Sequence, residues 1–267
     1  MASWKSIVDT QAKVRYVNEE WRTRDDVPYI CTKETRRANT SEHDVVISDA
    51  RYLNDQLDLD QQGFVLAEFE PVIDFHNKQV VTDSEQSVIA PFLCDFTGAQ
   101  AAFVTSHILR TEDRSVYLNA YARFVHVDYA IRQEGIVEQQ ILDQHGFENP
   151  LDQFDYAWFN VWLPFDHEVK QNALTLVDAT TFDPDERLDY YFSDSTTAVA
   201  AVPTFNRDHR FYYFSDMVPG EALVFKQLDS RPDKAEMCPH TAFYNPAVSA
   251  APGRRSAEFR ALCLFAR

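Results

Sequence analysis

The chain has 267 residues, of which 45% are hydrophobic, and it carries a formal net charge of −17. A chain of this length and composition can bury one large core, so we predict a single domain over residues 1–267. So acidic a surface repels nucleic acids and anionic membranes, which excludes both as partners.

Charged residues interrupt the apolar stretches of the first 30 positions, and no run elsewhere approaches the length of a membrane span. Four cysteines, Cys31, Cys94, Cys238 and Cys263, are scattered without the paired spacing of a disulfide framework or a zinc ribbon. These features predict a soluble cytoplasmic protein with free thiols.

The first third of the chain changes from irregular to regular patterns. Residues 1–44 are charged, mixed in character and broken by Pro28, so we expect an irregular N-terminal arm. Residues 63–69 form the first clear strand pattern. Residues 84–96 have helical spacing, although Pro91 argues against one long regular helix.

Strand patterns return in the middle of the chain. Residues 101–109 and 115–129 alternate as strands do. Residues 131–145 give the clearest helix prediction, with Gly146 as a left-handed stop at its end.

Short β-like runs separated by prolines fill the remainder of the chain. They are residues 157–163, 173–182, 210–214, 222–228, 237–244 and 256–265. The spacing is typical of an antiparallel sandwich or barrel. We predict a mainly β fold with flanking helices, namely a cupin-like jelly roll or double-stranded β-helix.

His126 and Asp128 lie two positions apart at the end of one predicted strand. Because side chains alternate along a strand, both would project to the same side. Phe124 and Val127 beside them predict burial, and a buried carboxylate is costly unless it is paired or bound to a metal. One imidazole and one carboxylate supply two ligands of the facial triad that holds non-haem Fe(II).

A second histidine is needed to complete such a triad. His43, His76 and His167 lie in charged or loop-like stretches, and His107 fits a buried core histidine. His240 follows a proline within a strand-like segment, far enough after Asp128 for several strands to intervene. It is therefore our candidate.

Arg254 and Arg260 follow His240 and suit a dicarboxylate co-substrate. The planar guanidinium can hold a remote carboxylate in a bidentate fashion. A simpler interpretation makes Arg254 an exposed turn charge and pairs Arg260 with Glu258. The residues alone leave both open.

From about residue 116 onwards the chain resembles a fungal and bacterial family of Fe(II)/2-oxoglutarate-dependent oxygenases. That family includes gibberellin desaturase, the cephalosporin methoxylation component and hydroxylase/desaturases of secondary-metabolite clusters. The resemblance rests on ordered blocks over more than half of the chain. They are His126-Val127-Asp128-Tyr129, residues 159–164 (FNVWLP), 213–217 (YFSDM) and 222–226 (ALVFK), Pro239-His240-Thr241-Ala242-Phe243, and Arg254-x-Ser256 leading into Glu258-Phe259-Arg260.

The resemblance implies a jelly-roll oxygenase that uses Fe(II), 2-oxoglutarate and dioxygen. It assigns the iron to His126, Asp128 and His240. It assigns 2-oxoglutarate to Arg254 with Ser256, and Arg260 is the reserve anchor. Tyr129, Trp162 and Lys226 are candidates for the substrate pocket.

One departure from the family pattern concerns Leu163. The family commonly carries arginine at this position, so we expect the chain to lack a cation facing substrate or co-substrate.

The implied reaction is hydroxylation, desaturation or oxidative cyclisation at an unactivated C–H of a small-molecule secondary-metabolite intermediate. 2-Oxoglutarate would be released as succinate and carbon dioxide. The alternatives are a cupin-like metalloenzyme that does not use 2-oxoglutarate and a non-catalytic jelly-roll binding protein. The oligomeric state is open, with a homodimer as one option.

Overall fold

The computed structural model describes residues 9–111 and 121–267. Within these residues the strands are β1 (Asp9–Val17), β2 (Thr40–Asp49), β3 (Phe64–Glu68), β4 (Ala101–Thr111), β5 (Phe154–Pro164), β6 (Leu174–Val177), β7 (Arg187–Tyr191), β8 (Val199–Pro203), β9 (Phe211–Tyr213), β10 (Glu221–Asp229), β11 (His240–Ala242) and β12 (Arg255–Ala266). The α-helices are α1 (Lys33–Asn39), α2 (Lys78–Ser84), α3 (Ala90–Thr97), α4 (Ile136–Gln144) and α5 (Pro150–Gln153).

Two five-stranded sheets build the body of the protein. One has the order β1-β2-β9-β6-β11, the other has the order β3-β10-β5-β12-β4, and β7 pairs with β8 separately. All neighbouring strands are antiparallel except β2 and β9. This arrangement agrees with the predicted jelly roll. None of the described helices is long and apolar enough to cross a membrane.

The prediction of an irregular arm over residues 1–44 is wrong for its described part. β1 and β2 pair along nine residue pairs in the first sheet. Ala12, Val14 and Tyr16 point into the core at 8%, 3% and 0% exposure, whereas Lys13 and Arg15 lie between them on the outer face. The period-two pattern was therefore present in the sequence, but the interleaved charges obscured it.

The helical predictions hold in type but not in their bounds. Residues 84–96 lie within α2, a π-helical turn and α3, and Pro91 lies in the first turn of α3, directly after the π-helical turn. The helix predicted over 131–145 is regular only in α4. Gly135 and Gly146 flank it with φ of 79° and 81°, so the first glycine delays the start of the helix and the second ends it.

Strand alternation separates two cores. The inner face of the second sheet directs Trp158 and Trp162 towards the core between the sheets. Its outer face directs Phe159 and Val161 towards α2 and α3. Asn160 shares the inner face with the two tryptophans, because residues two apart in a strand lie on the same side. The inner face also carries the candidate site.

Candidate metal centre

The two predicted histidine ligands face each other through their backbones. His126 N donates to the His240 carbonyl over 3.1 Å, and His240 N donates back over 3.0 Å. The two ring centroids are 4.3 Å apart. His240 lies on β11, whereas His126 lies on an extended segment that Val125 links to β1 and Val127 links to β8. The predicted strand over 115–129 is thus a chain of bridges in its described part, and residues 112–120 lie outside the described residues.

Asp128 completes the cluster. Its carboxylate and the two imidazoles offer ligand atoms that all lie within 4.8 Å of one another. The Nδ1 of His126 is 3.0 Å from the Phe124 carbonyl, which can only accept, so Nδ1 carries the proton. The Nε2 of His126, 3.6 Å from Asp128 Oδ1, therefore presents its lone pair to the cluster.

Burial keeps both imidazoles neutral. It lowers the pKa of His126, and together with the neighbouring His126 ring it lowers the pKa of His240 to about 3. A histidine must be deprotonated to bind a metal, because the proton occupies the lone pair that would form the bond. Both rings are thus ready to act as ligands at neutral pH.

Asp128 is held as a carboxylate by its neighbours. Burial acts to raise the pKa of its carboxyl, but the charge of Arg260, with a hydrogen bond from Asn160, holds the pKa well below its usual range. Arg260 donates to Oδ1 over 2.7 Å and Asn160 donates to Oδ2 over 2.7 Å. These contacts fix the orientation of the carboxylate as well as its charge.

The face of β12 that borders the cluster carries the predicted co-substrate residues. Ser256, Glu258 and Arg260 alternate along it. Arg260 also donates to Glu258 over 2.9 Å, so its guanidinium binds two carboxylates of the protein, Asp128 and Glu258. The simpler interpretation of the sequence, a pair between Arg260 and Glu258, is therefore present in the structure. Arg260 also contacts Asp128.

Arg254 is in a different environment. It is buried at 2% exposure and its Nη1 donates to the Asn172 carbonyl over 2.5 Å. Its guanidinium lies over the ring of Tyr121, 4.1 Å from the centroid. With His126 and His240 it borders a small cavity of about 10 Å³, which is room for about one water molecule. The alternative of an exposed turn charge is wrong.

Trp162 and Tyr129 do not line this cavity, but Trp162 lies beside Arg254 and Tyr129 lies beside Asp128. Trp162 is 5.3 Å from the Arg254 guanidinium, measured to its ring centroid, and its buried Nε1 has no hydrogen-bond partner in the described structure. Tyr129 stacks on Trp158 at 4.2 Å, and its hydroxyl is likewise buried without a partner among the described residues. Both side chains retain a polar atom for a ligand.

Lys226 does not belong to the pocket. Its ammonium is fully buried and donates to Asp60 and Asp229, each over 2.6 Å. A buried cation needs such paired carboxylates to offset its desolvation. Lys226 therefore serves the fold, and its prediction as a pocket residue is corrected.

The expectation about Leu163 is also corrected. Its side chain belongs to the core beneath the helices, on the face of β5 opposite to Trp162. A residue at this position points away from the ligand cluster because of strand alternation. The exchange of arginine for leucine thus changes the packing of the outer core rather than the charge of the site.

Sequence reasoning missed the residues that support the ligands. Gln227 accepts a hydrogen bond from the backbone N–H of Asp128 over 2.9 Å and places its amide nitrogen 3.4 Å from His240 Nδ1. Asn160 stood inside a quoted family block, but only its pairing opposite Arg260 across β5 and β12 reveals its contact with Asp128. Register of this kind cannot be read from one sequence.

The residues fit ferrous iron and a keto acid by their donor chemistry. Two neutral imidazoles and one carboxylate converge and leave other positions open, which is the donor set of non-haem Fe(II) oxygenases. Beside them a buried guanidinium and the Ser256 hydroxyl, which has no partner among the described residues, suit a carboxylate.

Comparisons with known proteins agree with this chemistry. A family profile described as "Oxidoreductase/YMDC permease-like domain" matches residues 14–264. The hydroxylase/desaturase efuI of Hormonema carpetanum is 24% identical over 254 residues, covering 83% of each protein. The alpha-ketoglutarate-dependent dioxygenase phiK of a fungal species (strain ATCC 74256) is 27% identical over 250 residues, covering 86% of each.

Solved structures give the same fold. A structure of the iron and alpha-ketoglutarate-dependent endoperoxidase NvfI, described as having a different conformation, matches with a TM-score of 0.85 at 23% identity, covering 98% of this chain and 99% of that one. The predicted jelly roll and the predicted family resemblance are both confirmed. The chain therefore belongs to this oxidoreductase family, and its curated relatives include fungal Fe(II)/2-oxoglutarate-dependent dioxygenases and hydroxylase/desaturases.

Proposed function

We propose that this protein oxidises an unactivated C–H of a small secondary-metabolite intermediate, with Fe(II) held by His126, Asp128 and His240. The observation that carries the proposal is the convergence of their three buried ligand atoms within 4.8 Å. When bound, the iron with 2-oxoglutarate and dioxygen supplies the oxidising power, and 2-oxoglutarate leaves as succinate and carbon dioxide. The free thiols of all four cysteines are consistent with a single-domain enzyme acting in the cytoplasm.

Arg254 is the anchor for the remote carboxylate of 2-oxoglutarate. Its guanidinium borders the same cavity as both histidines, and Arg260 pairs with Asp128 and Glu258. Ser256 supports the assignment because its hydroxyl can donate to the same carboxylate. The cavity is smaller than 2-oxoglutarate, so its binding requires the side chains around Arg254 to change position.

Arg260 and Asn160 act as positioning residues. They hold Asp128 ionised and fix both of its oxygens. Such outer partners typically contribute a factor of about 10–100 to metal affinity. The apolar rings around the site exclude water from the reacting groups.

The names of the relatives support more than one outcome. They include hydroxylase/desaturases and an endoperoxidase. Hydroxylation, desaturation and oxidative cyclisation share the first step, removal of one hydrogen, and diverge afterwards. The outcome depends on how the bound substrate lies, so we propose the class of reaction and leave these three open.

An anaerobic titration of Fe(II) and then 2-oxoglutarate into metal-free protein tests the proposal. We expect the visible charge-transfer band of a keto acid chelated to iron. The variants His126→Ala and Asp128→Ala should abolish the band. Absence of the band in the unaltered protein, while Fe(II) still binds, would favour a cupin-like metalloenzyme that does not use 2-oxoglutarate.

The same titration distinguishes the role of Arg254 from that of Arg260. Arg254→Ala should raise the concentration of 2-oxoglutarate needed for half the band by about 10-fold or more, because a hydrogen-bonded charge pair is lost. Arg260→Ala should instead raise the concentration of Fe(II) required. Arg210→Ala, on an exposed side chain, is the matched control. If Arg260→Ala weakens 2-oxoglutarate and Arg254→Ala does not, the anchor assignment is wrong.

A further inference from the structure

A strongly basic cleft lies beside the metal centre of this acidic protein. Its volume is about 530 Å³, within the range of small-molecule sites. Among the described residues, six cations and two carboxylates line it, in a chain whose net charge is −17. The cations are Lys13, Arg15, Lys33, Arg36, Arg37 and Arg123, and the carboxylates are Glu42 and Asp44.

Both carboxylates are already used. Asp44 pairs with Lys13 and Glu42 pairs with Arg15, each over 2.9 Å. Three further cations, Lys33, Arg36 and Arg37, come from α1. The described part of the cleft wall supplies no further carboxylate for these three cations.

Arg36 shows the consequence most clearly. Its side chain is half-buried, and among the described residues it has no ion pair and no hydrogen bond. Burial lowers the pKa of its guanidinium, the nearby charges of Arg15, Arg123 and Arg37 lower it further, and Glu34 acts to raise it. An anion bound beside Arg36 would favour the charged guanidinium.

The cleft begins next to a proposed iron ligand. Ala242 lines both the cleft and the small cavity that contains His240. These two residues are two apart on β11, so their side chains share a face and their Cα atoms are roughly 7 Å apart. Tyr244 and Pro246 continue the wall of the cleft. The cleft and the small cavity beside the metal centre therefore share a wall at Ala242.

We propose that this cleft binds the carboxylate of the substrate, which makes the substrate a small organic acid with an apolar body. The arginines of α1 would hold the acid group, and Ala242, Tyr244 and Pro246 would contact the apolar part. A long polyanion fits less well, because the acidic remainder of the surface would repel it. This inference rests on the proposed oxygenase function, and it specifies the class of substrate.

A matched pair of probes tests the cleft without knowledge of the substrate. Binding of 1-naphthoate and of 1-naphthalenemethanol to the metal-free protein is measured by calorimetry at two salt concentrations. We expect the carboxylate to bind at least 10-fold more tightly than the alcohol and to weaken with salt. Arg36→Gln should lower its affinity by about 5–10-fold, the loss of one charge-assisted contact. Arg37→Gln, on an exposed side chain, is a second variant in case Arg36→Gln perturbs folding.

Lys78→Gln is the control, because it removes the same charge from an exposed site on α2. Equal affinity for the two probes, no measurable binding of the carboxylate, or an equal loss in Lys78→Gln would overturn the proposal. If Arg36→Gln weakens the 2-oxoglutarate charge-transfer titration instead, the cleft serves the co-substrate and the substrate assignment is wrong.

Proximity to the metal centre is measured separately. Mn(II) added to the protein should broaden the proton resonances of bound 1-naphthoate, and His126→Ala should abolish the broadening while binding persists. Broadening that is absent in the unaltered protein with Mn(II) bound would place the cleft away from the metal and refute it as a substrate site. Failure of the proposed function alone would look different: the charge-transfer band would not form, yet the selective binding of the carboxylate would remain.

Discussion

Two buried polar clusters, the ion pairs around Lys226 and the metal centre, differ in how many hydrogen-bonding and ligating groups remain without a partner among the described residues. Around Lys226, the ammonium contacts Asp60 and Asp229 at 2.6 Å, and Arg231 adds a further contact to Asp229 at 2.6 Å. Each charge there has an opposite charge beside it. In the metal centre two neutral imidazoles and one carboxylate direct lone pairs towards one another.

The difference shows that buried charge does not by itself indicate a functional site. The cluster around Lys226 satisfies itself, so it stabilises one arrangement of the strands and has no capacity left for a ligand. The metal centre has unused acceptor capacity at His126 Nε2 and unused donors at Ser256 and Trp162. Unused hydrogen-bonding and ligating capacity is what separates the two.

The largest test of this comparison is a pair of substitutions, one in each cluster. Lys226→Met should lower the free energy of unfolding by about 3 kcal/mol, because it removes the fully buried cation of Asp60 and Asp229 while Arg231 still pairs with Asp229. His240→Leu should change the stability of the metal-free protein by less than about 1.5 kcal/mol, because a neutral ring is replaced by an apolar group of similar volume, and it should abolish Fe(II) binding.

Urea unfolding of both variants without iron gives the two values. The contrast between the clusters fails if His240→Leu destabilises the metal-free protein as much as Lys226→Met does.

Glu138 lies between the two clusters in character, because only one of its carboxyl oxygens has a partner among the described residues. It also makes the stability of the protein depend on pH. Its Oε1 accepts from Trp158 Nε1 over 2.6 Å, its Oε2 has no partner among the described residues, and burial raises the pKa of the carboxyl. The native state therefore binds the proton more tightly than the unfolded chain, whose glutamate has a pKa near 4.5. This contribution to stability is fully present below pH 4.5 and is lost as the pH rises through the higher native pKa.

Glu138→Gln should remove the loss of stability that accompanies ionisation of Glu138 as the pH rises. We expect the variant to be more stable than the unaltered protein by about 1 kcal/mol at pH 7, since no buried carboxylate must ionise, and to lose the advantage near pH 4. Unfolding curves at the two pH values measure the difference. A variant that is less stable at pH 7 would mean that the ionised form of Glu138 has a favourable partner.

The smallest expected effect is at Ser256. Its hydroxyl is buried without a partner in the described structure, so Ser256→Ala should leave the stability of the metal-free protein nearly unchanged. The same substitution should lower the affinity for 2-oxoglutarate by about 5-fold, because one neutral hydrogen bond is lost. The anaerobic titration measures the affinity. A loss of stability without a loss of affinity would assign the hydroxyl to the fold.

Much of the site was readable from local spacing. The pair His126 and Asp128, two residues apart among apolar neighbours, needed only the alternation of a strand to become a ligand pair. The β-rich pattern after residue 146 predicted the sheets, because apolar alternation and proline breakers are local signals. β1 escaped prediction because Lys13 and Arg15 lie between its buried residues.

The sequence by itself determined the chemistry of the site: which residue types could bind iron, and which arginines could hold an acid. Only the tertiary structure decided which arginine contacts Asp128 and which lies beside the histidines. These contacts depend on strand register and on residues far away in the chain. Pairing of β5 with β12 places Asn160 and Arg260 together on Asp128 and leaves Arg254 beside the histidines. The same packing placed Lys226 with Asp60 and turned Leu163 away from the site.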